Sequence, residues 1–402
     1  MSRNSEAVAI TGIGLVSPLG STLDSCQAAL RECRSCLEPL SNFETGFEAP
    51  PVVGQIRERL EVGARPGFRL SRTDKLGVLA ARAAAAVAGD CADFHQSGAV
   101  VATTVGGLPE IDPEIVADPR RYYRKGAFST VTSYPNSHVA DAVSADLGLK
   151  GPHFGVSVAC ASGAIAIAVA ARMVLEGAAP MMLAGGSEAL CPFTLSGFQA
   201  LQALDPAPCR PFDQSRNGLN LGEGAAILVL ETVARARARQ AKIWAVLRGW
   251  AMTNDAFHPT APQQQGRGLA DCITSAMKMA GVRSDQIGYV NAHGTGTPLN
   301  DPAEVKAYES AFGERRDPIP VSSSKSYFGH CLGAAGALES VVTILSMRSG
   351  TLFPTLRLSA PLETPALDWL LGAPRRQSLP LAMTVSAGFG GSNASLIFGL
   401  EE

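Results

Sequence analysis

The chain is 402 residues long, 46% hydrophobic and 17% charged, with a formal net charge of −2. That length holds about two or three average domains or one large duplicated core, and so modest a charge content argues against long disorder. The near-neutral balance gives no global drive toward nucleic acid or an anionic membrane, so an acidic partner has to be met by a local patch.

Met1 to Glu6 lead straight into the strand-like Val8-Ala-Ile-Thr11 with no apolar run of secretory type, so the expected compartment is the cytoplasm. Nine cysteines, odd in number and scattered, also fit a reducing compartment better than a disulfide framework. Gly12-Ile-Gly14 follows that first strand, but Ser17 stands where a dinucleotide fingerprint needs its third glycine. Cys33-Arg-Ser-Cys36 has zinc or redox spacing on what reads as a surface helix, yet no second Cys or His pair lies near it. Neither a cofactor nor a metal is expected.

A second strand is predicted at Gly98-Ala-Val-Val-Ala-Thr103. Arg120-Arg-Tyr-Tyr-Arg-Lys125 mixes bases with aromatics, as single-stranded nucleic-acid sites do. A charge run this short reads as a solvated face, and next as a contact to an acidic partner or a second subunit.

Phe154 to Ala171 carries no charge and is about long enough to cross a bilayer. Gly, Ser and Ala dominate it, Leu is absent and Arg172 follows, so it reads as a buried central helix, not a membrane span. Cys160 lies inside it, where the strand-like run from Val156 meets that helix. A thiol at a helix N-terminus faces the positive end of the macrodipole, which is expected to favour the thiolate, and the free N–H groups there suit an oxyanion. Alone, a buried cysteine is more often structural.

Further strands are predicted at Met181-Met-Leu-Ala184 and Ala225-Ala-Ile-Leu-Val-Leu230, then at Ala245 to Gly249, Ile287 to Asn291, Ile319 to Ser323 and Ser395 to Phe398. Near-continuous apolar strands with helices between them indicate α/β sheets covered on both faces. Cys160 to Gly177 and His330 to Gly350 echo one another, each a polar turn residue, a small-residue helix and a closing glycine. The expectation is a duplicated α/β unit dividing into 1–245 and 246–402.

His293 follows a strand-like run inside Asn291-Ala-His-Gly-Thr-Gly-Thr297. A histidine there is held on a rigid element and still faces a cavity. His330 closes Ser322-Ser-Ser-Lys-Ser-Tyr-Phe-Gly-His330 and opens the second small-residue helix, where the dipole biases its imidazole toward the neutral form. A neutral imidazole donates a hydrogen bond to a developing oxyanion without first losing a proton.

Val158-Ala-Cys-Ala-Ser-Gly163, Asn291 to Thr297, Ser323 to Gly336 and Gly388-Phe-Gly-Gly-Ser-Asn393, in this order over essentially the whole chain, resemble the Cys-His-His signature of the elongating β-ketoacyl-acyl-carrier-protein synthases of the thiolase superfamily. The resemblance implies a thiolase-like fold of two similar α/β halves in five layers, αβαβα, and a decarboxylative Claisen condensation. It makes Cys160 the acyl-carrying nucleophile, with the N–H groups of Cys160 and Phe389 as oxyanion hole and Phe389 as gate. It assigns enolate stabilisation to His293 and His330, and makes Lys325 and Glu339 an ion pair behind them that orients His330. Thr295 and Thr297 match positions that bind a phosphopantetheine arm. Arg210 and Asp213, in Arg210-Pro-Phe-Asp213, and Gly222-Glu-Gly224 match a scaffolding loop. The implied partners are an acyl carrier protein and a second copy of the chain in a homodimer, or a related subunit in a heterodimer.

Val385 and Ala387 stand where such synthases commonly have Asn and Phe, and Asn300 where they have Gly before Asp301. Asn tolerates a left-handed backbone, so the turn at 300 is expected to survive. Losing an aromatic at 387 bears on the acyl pocket, hence on fatty-acid against polyketide or polyene chains. The rival readings are a non-catalytic chain-length partner subunit, which Cys160 and both histidines oppose, and a lipid-binding module.

Overall fold

The computed structural model describes residues 7–63, 69–89, 94–110, 117, 118, 120, 132–313 and 315–401. Among them eleven strands pair into one sheet: β1 (Val8–Val16), β2 (Gly98–Ala102), β3 (His153–Val156), β4 (Met181–Glu188), β5 (Gly224–Thr232), β6 (Ala245–Asn254), β7 (Val290–Asn291), β8 (Ile319–Ser322), β9 (Leu367–Trp369), β10 (Leu381–Gly388) and β11 (Ser392–Gly399). The first five run in the order β1-β5-β4-β2-β3, and the next set repeats it as β6-β11-β10-β7-β8, with β9 added at the far edge. Strand directions repeat too: the pairs β1–β5 and β5–β4 are antiparallel with β4–β2 and β2–β3 parallel, as β6–β11, β11–β10, β10–β7 and β7–β8 are in turn. The two sets meet only where Val8 to Ile10 of β1 pair antiparallel with Leu247 to Ala245 of β6.

Alternation along each strand sorts the side chains into layers. Met181 and Leu183 of β4 pack outward with Val101 and Ile227 against the helices Arg72–Ala88 and His138–Leu147. Met182 and Ala184 face inward, where the helices Ser162–Leu175 and Ala335–Ser349 are sandwiched between the two sets of strands. On the other side, Val290, Val321, Met383 and Ile397 meet Arg267–Ala280 and Asn300–Phe312. The result is the five-layer αβαβα arrangement.

The two central helices owe their closeness to glycine. A Cβ on Gly163 would stand 2.8 Å from the Gly333 carbonyl oxygen and 2.9 Å from Ala337 N, and one on Gly336 2.7 Å from Ala164 N. Small residues thus let both helices start side by side, and the two turns that precede them face one another. No described helix is long and apolar enough to cross a membrane; the uncharged run divides into β3, a turn and a buried helix.

Two expectations are corrected, and one long strand was not expected. The strand before Cys160 ends at Val156, so a turn separates it from the cysteine. The long strand β10 escapes a hydrophobicity reading because buried Thr384 and Ser386 interrupt its apolar pattern. The Cys33-Arg-Ser-Cys36 segment lies beyond its helix, which ends at Arg31, and Cys33 adopts φ 52°.

Candidate active site

Cys160 sits on a tight turn. Ala159 takes φ 46°, a left-handed conformation that costs a non-glycine residue strain, and Ser162 Oγ fixes the turn by donating to the Ala159 carbonyl (2.5 Å) and accepting from Val158 N–H (2.6 Å). This delivers the sulfur to the floor of a cavity of about 310 Å³ that is also lined by His293, His330, Thr295, Thr297 and Phe389. Three turns distant in sequence meet there. The imidazoles of His293 and His330 lie edge to face with centroids 5.3 Å apart.

The electrostatics differ from the helix-terminus expectation. Burial pushes the Cys160 thiol up to about 12; the Lys325 ammonium and the Phe389 N–H, which donates to the sulfur, pull the other way without reversing it. The helix Ser162–Leu175 does begin beside Cys160, yet burial is the largest influence on the thiol. The resting nucleophile is therefore a neutral thiol. Both histidines are held well below their ordinary value, His293 by burial, Lys325 and His330, and His330 by burial and Lys325. His330 is neutral as expected, though for another reason: four residues, three of them a 3-10 turn, separate it from the start of Ala335–Ser349.

Lys325 and Glu339 form a fully buried ion pair, at 1% and 0% side-chain exposure. The ammonium also donates to the His293 carbonyl at 2.5 Å and to His293 Nδ1 at 3.3 Å. The pair thus braces His293, where His330 was expected. Because a lysine ammonium only donates, Nδ1 must accept, which puts the His293 proton on Nε2. His330 is instead held by its backbone, its N–H to the Asn220 carbonyl at 2.7 Å and its carbonyl from Gly222 N–H at 3.0 Å, and its buried Nδ1 has no partner among the described residues.

Thr295 and Thr297 face one another with hydroxyls 3.0 Å apart at the cavity wall. Phe389 is 36% exposed and stacks on Phe198 at 5.5 Å, on a turn where Gly390 and Gly391 take φ 78° and 77°. Gly388 gives that turn its close approach, since a Cβ there would lie 3.1 Å from Cys160 N. Asp213 accepts from Ser359 and Ala360 N–H at 2.8 and 2.9 Å, a loop clasp that is not part of the cavity lining, and the Arg210 guanidinium reaches Ser215 Oγ at 3.5 Å. Of Arg120 to Lys125, only Arg120 lies within the described residues.

Three buried carboxyls escaped the sequence reading. Glu188, ending β4, accepts from Thr104, Val105 and Gly333 N–H at 2.9, 2.9 and 2.7 Å, tying the loop after β2 to the turn after His330. Burial raises it to about 7 against those donors. Glu304 accepts from His293 and Gly294 N–H, each at 2.7 Å, and is likewise raised to about 7 by burial with Asp301 alongside. Asp301 accepts from Phe212 N–H at 2.7 Å and from Gly296 N–H at 3.1 Å. The available signals were a lone acid closing an apolar run and the Asp-Pro-Ala-Glu spacing at 301–304. Asn300 is not left-handed as expected; it is the first residue of the helix Asn300–Phe312. Ala387 lines the cavity, whereas Val385 is fully buried in the core behind it.

Comparison with known proteins covers nearly all of the chain. Residues 5–236 match the model of the beta-ketoacyl synthase N-terminal domain and residues 244–359 that of the beta-ketoacyl synthase C-terminal domain. A 3-oxoacyl-[acyl-carrier-protein] synthase 2 of Vibrio cholerae is 37% identical over 417 residues, covering 97% of this chain and 98% of its own. Among solved structures, the ishigamide ketosynthase/chain length factor superposes with a TM-score of 0.92 at 29% identity over 98% of this chain and 99% of its own. A type II polyketide synthase ketosynthase solved with its acyl-carrier protein, AntDE:AntF, gives 0.85 at 27% over 98% and 99%. With both halves matched in order on one fold, and the motif turns of both meeting over one sulfur, the chain belongs to the β-ketoacyl synthase family.

Proposed function

We propose that the protein is a β-ketoacyl-acyl-carrier-protein synthase that condenses a Cys160-bound acyl chain with malonyl carrier protein. The observation that carries this reading is two neutral imidazoles and one thiol bordering a single cavity. In the first half-reaction the Cys160 sulfur attacks the acyl thioester of a carrier protein. The tetrahedral oxyanion is held by the N–H groups of Cys160 and Phe389, the carrier's thiolate leaves, and it takes up the proton that Cys160 gave up. Because the resting thiol is neutral, its proton must move during attack.

Malonyl carrier protein then places its arm along Thr295 and Thr297. The carboxylate departs as carbon dioxide, its electron pair passes into the thioester enolate, and Nε2–H of His293 and His330 stabilises the enolate oxygen. Neutral imidazoles donate here without competing ionisation, and the Lys325 contact to Nδ1 keeps the His293 proton on the cavity side. The enolate carbon attacks the Cys160 thioester, a carbon–carbon bond forms, the carbon–sulfur bond breaks, and Cys160 thiolate regains a proton. The product is a 3-oxoacyl carrier protein two carbons longer, as fatty-acid or polyketide assembly requires. In this scheme Glu339 holds Lys325 in place by pairing with it, and the chain works as two halves, 1–245 and 246–402.

The partners follow from the same reading: an acyl carrier protein, such as the one in the AntDE:AntF complex, and a second subunit of this or a related chain. Edge strand β3, with Phe154 37% exposed, supports pairing there. All eight described cysteines are free, which supports the cytoplasm. A non-catalytic chain-length subunit has no use for this thiol. The test is intact-protein mass after incubation with acyl and malonyl carrier protein: an acyl adduct on Cys160 and a 3-oxo product are expected, and a Cys160→Ala variant that still condenses removes the mechanism.

A further inference from the structure

Two buried carboxylates at the head of the helix Asn300–Phe312 each hold a different stretch of the cavity wall. Glu304 grips the loop that follows β7 through the His293 and Gly294 N–H groups, and Asp301 grips Gly296, between the two threonines that face the cavity. Two anions this close repel, and Asp301 adds to what raises the Glu304 carboxyl. Asn300 stands between them. Its Nδ2 donates to Asp301 Oδ1 at 3.2 Å and to Glu304 Oε2 at 3.1 Å, while its own N–H donates to Thr297 Oγ1 at 3.3 Å. Carboxylate oxygens on one side of the amide fix its orientation, since only the NH2 end is compatible with them. Asn300 also lines the cavity next to Thr297 and Leu299.

We propose that Asn300 is a positioning residue, which locks the Thr295–Thr297 turn to the His293–Gly294 backbone and thereby fixes where an arm-bound thioester meets the imidazole. The inference rests on the condensation reading above. A glycine at 300 would leave both carboxylates without the bridging donor, so the turn and the histidine would be held separately. A misplacement of the thioester by about 1 Å is enough to cost up to about 10²-fold in rate. The charged and titratable groups facing this knot are Asp301, Glu304, Tyr308, His293, Lys325 and Arg216.

Asn300→Asp is the informative variant because it keeps the shape, removes the side-chain N–H donors and adds a third negative charge. With Cys160 acylated beforehand, it is expected to lower kcat for malonyl carrier protein by about tenfold and by more than Asn300→Gly does. The deficit should shrink from pH 8 to pH 6, as the new carboxyl takes up a proton and regains a donor. Because kcat is taken per folded enzyme, with urea midpoints measured at both pH values, a role limited to stability would leave it unchanged. Amide hydrogen exchange at His293, Gly294 and Gly296 needs no substrate and is expected to quicken by about tenfold in both variants. If the Asp variant fails to fold, the Gly variant decides on the same two readouts. Wild type that does not condense would sink the functional reading alone, leaving exchange to judge Asn300. Wild-type kcat together with wild-type exchange in the variants overturns the proposal.

Discussion

The Lys325–Glu339 pair offers a way to separate stability from catalysis. Both side chains are buried and the ammonium serves three acceptors, Glu339 Oε1, the His293 carbonyl and His293 Nδ1. Lys325→Met leaves an unpaired carboxylate and Glu339→Leu an unpaired ammonium; removing one partner of a buried pair costs about 3–5 kcal/mol. An apolar Met–Leu pair removes both charges, so the double variant is expected to recover most of that loss. It should still fall short of wild type by about 1–3 kcal/mol, because the two buried His293 acceptors lose their donor. Activity should not recover with stability. Without a donor on Nδ1 the His293 proton is free to sit on the wrong nitrogen, and malonyl decarboxylation is expected to stay down by about 10²-fold or more. Urea unfolding of all four proteins in a double-mutant cycle gives the stabilities, and carbon dioxide release by the acylated enzymes gives the rates. A double variant destabilised by the sum of its two singles would show that the charges are not coupled. A double variant with wild-type decarboxylation would reduce Lys325 to a structural part.

The other expectations concern the sulfur and its supports. With the Cys160 thiol near 12, iodoacetamide labelling of the empty enzyme should climb about tenfold per pH unit from pH 6 to 9, and a plateau in that range contradicts the buried-thiol account. Glu188, at about 7 in the fold against an ordinary 4.5, binds its proton more tightly when folded, so it adds stability as pH falls from 7 toward 4.5 and that contribution is lost as pH rises through 7. Glu188→Gln removes this dependence, so the gap to wild type should widen on acidification with a slope of up to about 1.4 kcal/mol per pH unit; urea midpoints showing a constant gap refute it. Gly388→Ala suits the backbone at φ −130° but puts a Cβ 3.1 Å from Cys160 N and 3.2 Å from Ala161 N. Acylation of Cys160 should slow by about tenfold with at most about 1–3 kcal/mol of stability lost, and unimpaired acylation, followed by intact mass, would clear the Gly388 turn of any part in the oxyanion hole.

Much of this was readable in one dimension. Apolar strands such as Ala225 to Leu230 declare themselves because both of their faces are covered, and Gly177 and Gly350 mark helix ends because a left-handed residue is needed there. Strand β10 did not, since its fully buried Thr384 and Ser386 break the apolar run on which a hydropathy reading depends. The chemistry-bearing residues were visible as types in glycine-rich turns, but their supports were not: Glu188 and Glu304 act through backbone N–H groups, which carry no sequence signature.

What the sequence determined by itself was local: which thiol, which imidazoles and which hydroxyls stand on turns, and that two similar α/β units follow one another. Charge state and pairing were decided in three dimensions. The thiol that a helix terminus was expected to activate is instead held protonated, and the lysine expected behind His330 braces His293. Both reversals have one cause. Desolvation and Coulomb interaction depend on which distant segments are packed around a group, and that is fixed only when the two central helices come together at Gly163 and Gly336.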